Sequence, residues 1–176
     1  MDAILRAAAQ VFATHGYAAS TTNHIAGRAG VSIGSLYEYF PNKDALLVAL
    51  MEAHLREAEA ILARVAAEVT SAAADVRDVA RRFVRAMVEL HARDRALHRV
   101  LFEEAPLPRR IRRQLADLEG QVTARAEAYL RAHPDSTARD PALAAAIVVQ
   151  TVEGLTHKLV VHGERDADLD AFVEEM

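Results

Sequence analysis

The chain contains no cysteine, so disulfide cross-links and thiolate metal sites are excluded. Its 176 residues include only five phenylalanines and four tyrosines against abundant alanine, a composition suited to closely packed helices. No apolar run approaches the roughly 20 residues needed to cross a bilayer. The opening MDAILRAAAQVFATHG lacks a basic head followed by a continuous apolar stretch, so it does not read as a secretory signal. A cytoplasmic protein with no membrane association is the simplest expectation. There is no excess of positive charge either: the formal net charge is -4. Within residues 1–50, Arg6, Arg28 and Lys43 are balanced by Asp2, Glu38 and Asp44. That balance excludes a non-specific nucleic-acid coat protein. It leaves open a site-specific binder that meets phosphate through helix N-termini, hydroxyls and a few cations. Signatures of catalysis are also missing, with no serine elbow, HExxH or glycine-rich phosphate loop. The chain is read as a non-enzyme that needs no cofactor or metal.

What is present is helical periodicity. Ile4, Leu5, Ala8, Val11 and Phe12 recur at the spacing of one apolar helix face, and Gly16 supplies a stop. Ser20 or Thr21 can cap a second helix, which Gly30 ends. Ser32 caps a third, short helix that reaches to about Phe40 and Pro41. Asn42 caps a long fourth helix running to about Val69. Residues 70–75 form a break, and Asp75 can cap the next helix. A short helix is expected over residues 95–104, before Pro106 and Pro108 interrupt the chain. Arg109 to about Ala132 and a helix opened by Pro141 and closed by Gly163 follow, and ADLDAFVEEM begins another. The expected fold is all-α, with a first domain over residues 1–45 and a larger helical bundle over 46–176.

Residues 21–43 carry the most specific signal. With Thr22 opening one helix, Ile25 faces inward and Ala26 occupies the crossing of two helices, where only a small side chain fits. Gly30 permits the sharp turn between them. Leu36 returns to the core, and Tyr39 is expected to close the inner face. The outward positions are Ser32, Ile33, Gly34, Ser35, Tyr37 and Glu38, small enough for the helix to enter a major groove closely. Ser32 and Ser35 offer hydroxyls, Ile33 an apolar contact for a thymine methyl, Gly34 close backbone approach, and Tyr37 a phosphate contact. Thr22 and Lys43 each sit at a helix N-terminus, where phosphate is favoured. With no Arg, Asn or Gln in the middle of this helix, bidentate readout is thin, and DNA shape and water are expected to contribute. The alternative is a helical corner inside a scaffold or enzyme. The run Leu36-Tyr37-Glu38-Tyr39-Phe40-Pro41-Asn42-Lys43 argues against it, because packing gives Tyr37 no task.

These segments resemble the TetR-type bacterial transcriptional regulators: residues 4–17, the TT--IA-RAGVS run at 21–32, and GSLYEYFPNKDALL at 34–47. The resemblance implies an all-helical homodimer in which three N-terminal helices bind double-stranded operator DNA. It further implies a divergent C-terminal domain that dimerises and holds a small effector. It places Thr22, Ser32, Gly34, Ser35, Tyr37, Tyr39 and Lys43 at the DNA face. Two departures stand out. Ile33 replaces a residue that is often basic, and Glu38-Tyr39 replaces a common tyrosine–histidine pair. The chain also starts at its first helix, without the short basic tail of many relatives.

The helix after Pro141 is apolar on more than one side, as expected if one face packs within the subunit and the other meets a second copy. Val148, Val152, Leu155 and Leu159 are the candidate interface residues there, joined by Leu115, Leu118 and Val122 from the preceding helix. A helix buried wholly within one monomer is the alternative. Phe83, Met87, Leu101 and Phe102 are candidate walls of an effector pocket, with His91, Gln150, Glu153 and His157 as orienting polar groups. The same residues also suit an ordinary core. Glu153 and His157 share a face at i and i+4, but a metal would need further ligands from elsewhere. The best reading is a homodimeric repressor released from a palindromic operator by an apolar or amphipathic effector. A helical scaffold or a ligand-independent activator would share the fold.

Overall fold

Six helices among the described residues begin on a side chain that accepts a hydrogen bond from the helix's own first turn. Thr21 accepts from the His24 amide and Ser32 from Ser35. Asn42 accepts from Ala45, Asp75 from Arg77, Asp94 from Leu97, and Asp140 from Leu143. Each satisfies a backbone donor that the helix itself leaves free, and such a cap contributes about 1 kcal/mol. The computed structural model describes residues 1–69, 75–134, 136–158 and residue 163. Its helices are α1 (Asp2–Ala19), α2 (Thr22–Ala29), α3 (Ile33–Tyr39), α4 (Lys43–Val69), α5 (Val76–Ala92), α6 (Arg95–Arg99), α7 (Arg109–Ala132) and α8 (Pro141–Thr156). Among the described residues the fold is all-α, as the periodicity predicts. No helix among them is long and apolar enough to cross a membrane.

Two details depart from the sequence expectation. Gly16 does not end α1. It kinks the helix through φ 73° and ψ 168°, and one more turn runs on to Ala19. Ser20, buried below that turn, donates to the Gly16 carbonyl at 2.6 Å and holds it in place. The helix expected over 95–104 is α-helical only to Arg99, and Val100–Glu104 continue it as a π-helical turn. The helix foreseen in ADLDAFVEEM, and the end of α8 before Gly163, fall outside the described residues.

By packing, the chain divides into two compact units, Met1–Arg56 with Asp94–Arg113, and Glu57–Arg93 with Gln114–Met176. The units divide inside α4, between Arg56 and Glu57, and residues 94–113 group with the first unit. In that unit α1 packs on α2, α2 on α3, and α6 with its π turn on α1. Ile4, Ala8, Val11 and Phe12 of α1, Ile25 and Ala26 of α2, and Leu36 of α3 are all buried. So are Leu46, Leu47 and Met51 of α4. Burial of each large side chain contributes roughly 1.5–3 kcal/mol. The basic run 109–113 opens α7: Ile111 is fully buried, and Arg110 pairs with Glu52 at 2.9 Å.

In the second unit α5 packs on α8. Val84, Val88 and Val152 form one apolar cluster with Phe83, Met87 and Ala92 against it. Ala58, Ile61, Ala86 and Leu90 form another, with Val65 and Leu118 against it.

Candidate nucleic-acid interface and ligand cavity

Gly30 ends α2 in the left-handed region, at φ 70° and ψ 29°. The Gly30 amide there donates to Gly27, and Val31 donates to Ala26. The chain turns sharply, and Ser32 starts α3 with its hydroxyl 3.0 Å from the Ser35 amide and 2.9 Å from the Ser35 hydroxyl. Leu36 anchors α3 in the core, leaving the rest of this seven-residue helix on the surface. Ser32, Ile33, Gly34, Tyr37 and Glu38 are exposed, and Ser35 is half-buried. Tyr39 differs from the sequence expectation. Instead of closing the inner face it is 57% exposed, and Phe40 is the buried residue. The cause is local: α3 ends at Tyr39, and the extended backbone of Phe40 swings that ring inward.

The α2 and α3 edges are tied together outside the core as well. The Thr22 hydroxyl lies 3.0 Å from that of Tyr37. Arg28 of α2 donates to Gln10 of α1 at 2.5 Å. Lys43 does not stand free at the head of α4. Its ammonium donates to the Tyr17 carbonyl at 2.7 Å and sits 4.2 Å from the centre of the Tyr17 ring. The Tyr17 hydroxyl in turn donates to Asp44. Burial, then the hydrogen bond and negative charge of Asp44, push the Tyr17 phenol up to about 12. Tyr17 thereby clasps the entry of α4 to the end of α1.

In the second unit a cavity of about 420 Å³ lies among α4, α5, α7 and α8. Leu62, Val65, Val76, Val79, Phe83, Val122, Ala126, Ala145 and Val149 give it apolar walls. Of the eight residues expected to form an effector pocket, Phe83 lines this cavity. Met87 packs on the Val84 cluster beside it. His91 is buried, and its Nδ1 donates to the Met87 carbonyl at 2.7 Å. Burial lowers its pKa and His157 lowers it further, while the Met87 bond raises it. The His91 and His157 rings stand edge to face, with centroids 6.3 Å apart. Burial and repulsion from Glu119 raise the Glu153 carboxyl, and His157 partly offsets this. Gln150 is exposed and donates to Glu119. Leu101 and Phe102 belong to the first unit, where Phe102 stacks against His98 at 4.6 Å.

The residues expected at a subunit interface separate into two groups. Val152 is buried, Leu115 and Leu118 are half-buried, and Val122 lines the cavity. Val148 and Leu155 are exposed on α8, together with Leu143 and Ile147, and Val148 also lines the cavity. Leu159 lies outside the described residues. The sequence pattern also failed to mark Arg125 and Tyr129 in the cavity wall. Their i, i+4 spacing beside the apolar Val122 and Ala126 was the available signal.

A glycine-turned helix pair whose second helix is short, capped and exposed defines a helix-turn-helix DNA-binding unit. The chain belongs to the TetR family. Residues 4–50 match the model of the bacterial regulatory proteins of the tetR family, and residues 75–176 match that of a tetracyclin repressor-like C-terminal domain. It is therefore a transcriptional regulator. No curated protein matches the chain. Solved structures share the fold at low identity. A TetR-like transcriptional regulator from Rhodococcus sp. RHA1 has a TM-score of 0.74 at 22% identity, over 99% of this chain and 89% of that one. FadR from Bacillus subtilis, in complex with stearoyl-CoA, has a TM-score of 0.72 at 22% identity, over 99% and 94%. AibR, in complex with isovaleryl coenzyme A and operator DNA, has a TM-score of 0.73 at 20% identity, over 99% and 96%.

Proposed function

We propose that the protein is a homodimeric repressor that acts in the cytoplasm and binds a palindromic operator through α3. A small apolar or amphipathic effector, taken into the helical region beyond residue 45, releases it. The observation that carries this reading is the outer face of α3. Ser32, Ile33, Gly34 and Tyr37 stand exposed there, while Leu36 alone ties the helix to the core. Thr22, Ser35, Tyr39 and Lys43 complete the surface that meets DNA.

Dimerisation is supported by the exposed apolar residues Leu143, Ile147 and Leu155 on α8, away from the buried Ala145, Val149, Val152 and Thr156, with Val148 at the edge between them where it also lines the cavity. A helix apolar on both sides needs a second packing partner. Two reading helices held roughly 34 Å apart then reach successive major grooves. The cavity among α4, α5, α7 and α8 supports an effector in the size range of small-molecule sites. The acyl-CoA complexes of FadR and AibR favour an acyl-bearing effector. Release requires the effector to bind the DNA-incompetent state more tightly, a coupling of about 1–3 kcal/mol in typical cases.

The test is selection of bound sites from a randomised duplex pool at a fixed moderate salt concentration, with a folded dimer verified in parallel. An enriched palindrome supports the reading. A folded dimer that enriches nothing would favour a scaffold instead.

A further inference from the structure

The cavity of the second unit has an uneven chemistry. Among the described residues, Arg125 and Tyr129 are the only polar side chains in its lining, which contains no carboxylate. The two sit four residues apart on α7, and therefore on one face of that helix. Arg125 is exposed and Tyr129 half-buried, so the polar end of the cavity is its wet end. The remaining walls are mostly valine, alanine and leucine, with Phe83 the one other aromatic ring among the described residues. Such walls offer dispersion contact to an aliphatic chain and no hydrogen bonds to a heterocycle inside. Burial and the negative charge of Asp75 both raise the Tyr129 phenol, which remains a proton donor at neutral pH.

We infer that this cavity selects an aliphatic chain bearing an anionic head, with Arg125 as the specificity-determining residue that receives the charge and Tyr129 as a second donor to it. The inference deepens the effector reading above and rests on it. A guanidinium offers a planar fork of N–H donors to a carboxylate or phosphate, and among the described residues the lining holds no acid. The Asp75 charge acts on Tyr129 from outside the lining and makes Tyr129 the weaker anion contact. A cationic head meets repulsion at the same place. A neutral head gains only ordinary hydrogen bonds.

Calorimetry on the whole chain tests this with hexanoate, octanoate and decanoate, the neutral decanol, the cationic decylamine, and decanoyl-coenzyme A. All are used below their aggregation limits. Each added methylene should tighten binding roughly fourfold until the cavity is filled. Decanoate or its coenzyme A thioester should bind about tenfold or more tightly than decanol, as expected for a charge-assisted contact. A carboxylate head at Arg125 predicts the free acid as the better ligand, and a phosphate head predicts the thioester. In Arg125→Gln the preference for anion over alcohol should fall towards unity while decanol binding and thermal stability persist. Tyr129→Phe should reduce the preference partially. Decanol binding as tightly as both anions, an unchanged preference in Arg125→Gln, or no binding by any chain would each overturn the inference. Operator affinity of the ligand-free protein, measured separately, reports on the regulator reading and not on this one.

Discussion

The hydroxyls of Thr22 and Tyr37 lie 3.0 Å apart, joining the start of α2 to the exposed side of α3. Tyr37 is 48% exposed and buries little, so this contact adds little to stability. Its position suits a phosphate contact that would be shared by the two hydroxyls. Tyr37→Phe should weaken operator binding about three- to tenfold, the size of one lost hydrogen bond, and leave the melting temperature almost unchanged. Tyr37→Ala should weaken it further. Fluorescence anisotropy on a labelled operator, paired with thermal denaturation, separates the two effects. Unaltered affinity in both variants would remove Tyr37 from the DNA face.

Tyr17 provides a pH test. Its phenol is raised from 10.0 to about 12, so folding favours the protonated form. The unfolded chain loses this proton first as pH rises. The contribution is therefore fully present below about pH 10 and is lost as pH climbs through 10 towards 12. Denaturant titrations should show the wild-type losing stability over that window more steeply than Tyr17→Phe, which has no proton to lose at that position. Parallel pH profiles for the two proteins would show that neither burial nor Asp44 raises the phenol in solution.

Gly30 and Gly16 represent two degrees of backbone strain. A methyl group at Gly30 would meet open space, but φ there is 70°. Gly30→Ala should cost about 1–2 kcal/mol by urea denaturation, the penalty for the left-handed conformation alone. At Gly16 the same methyl would also come within 2.8 Å of the Glu104 carboxylate, at φ 73° and ψ 168°. Gly16→Ala should be the more damaging through its backbone, because φ 73° with ψ 168° is essentially closed to any side chain. The Glu104 carboxylate is a flexible end that can turn aside, so Glu104→Ala should recover little. Equal costs for the two glycine variants would contradict this division.

The stripe on α8 predicts the behaviour of a dimer. Ile147 is 56% exposed and so tolerates a charge in the isolated subunit. At a subunit interface, Ile147→Glu would leave an unpaired buried carboxylate, a penalty of several kcal/mol, and should weaken dimerisation about a hundredfold or more. Sedimentation equilibrium should show a shift to monomer while circular dichroism remains helical. A variant that sediments like the wild-type would exclude this face from the interface.

Local devices are the part of this fold that is legible in the amino-acid sequence. Thr21, Ser32, Asn42 and Asp75 are caps whose chemistry depends on residues two or three positions away, and each accepts the expected bond or one a residue nearer. Gly30 with Val31, and Ala26 at the crossing, follow from sterics within a few residues. Tyr39 defeats the same logic because spacing alone places it near Leu36, whereas the chain leaves the helix at Phe40 and reverses which ring is inside. Long-range packing leaves even less trace. Nothing local tells residues 94–113 that α1 is their neighbour, and the kink at Gly16 beside Glu104 becomes meaningful only once they meet. Phe83 and Met87 share one helix face, yet Phe83 lines the cavity while Met87 supports the core beside it. Arg125 and Tyr129 carry no motif at all.

The most direct test of the account is the spacing of the half-sites in the selected operator. Two copies of α3 fixed by one dimer must reach successive major grooves on the same side of the duplex. Inserting about 5 base pairs, half a helical turn, between the half-sites should reduce affinity by roughly two orders of magnitude or more. Inserting a full turn should also weaken binding if the dimer holds its reading helices at a fixed distance. Affinity that is indifferent to both insertions would contradict a paired reader and leave each α3 acting alone.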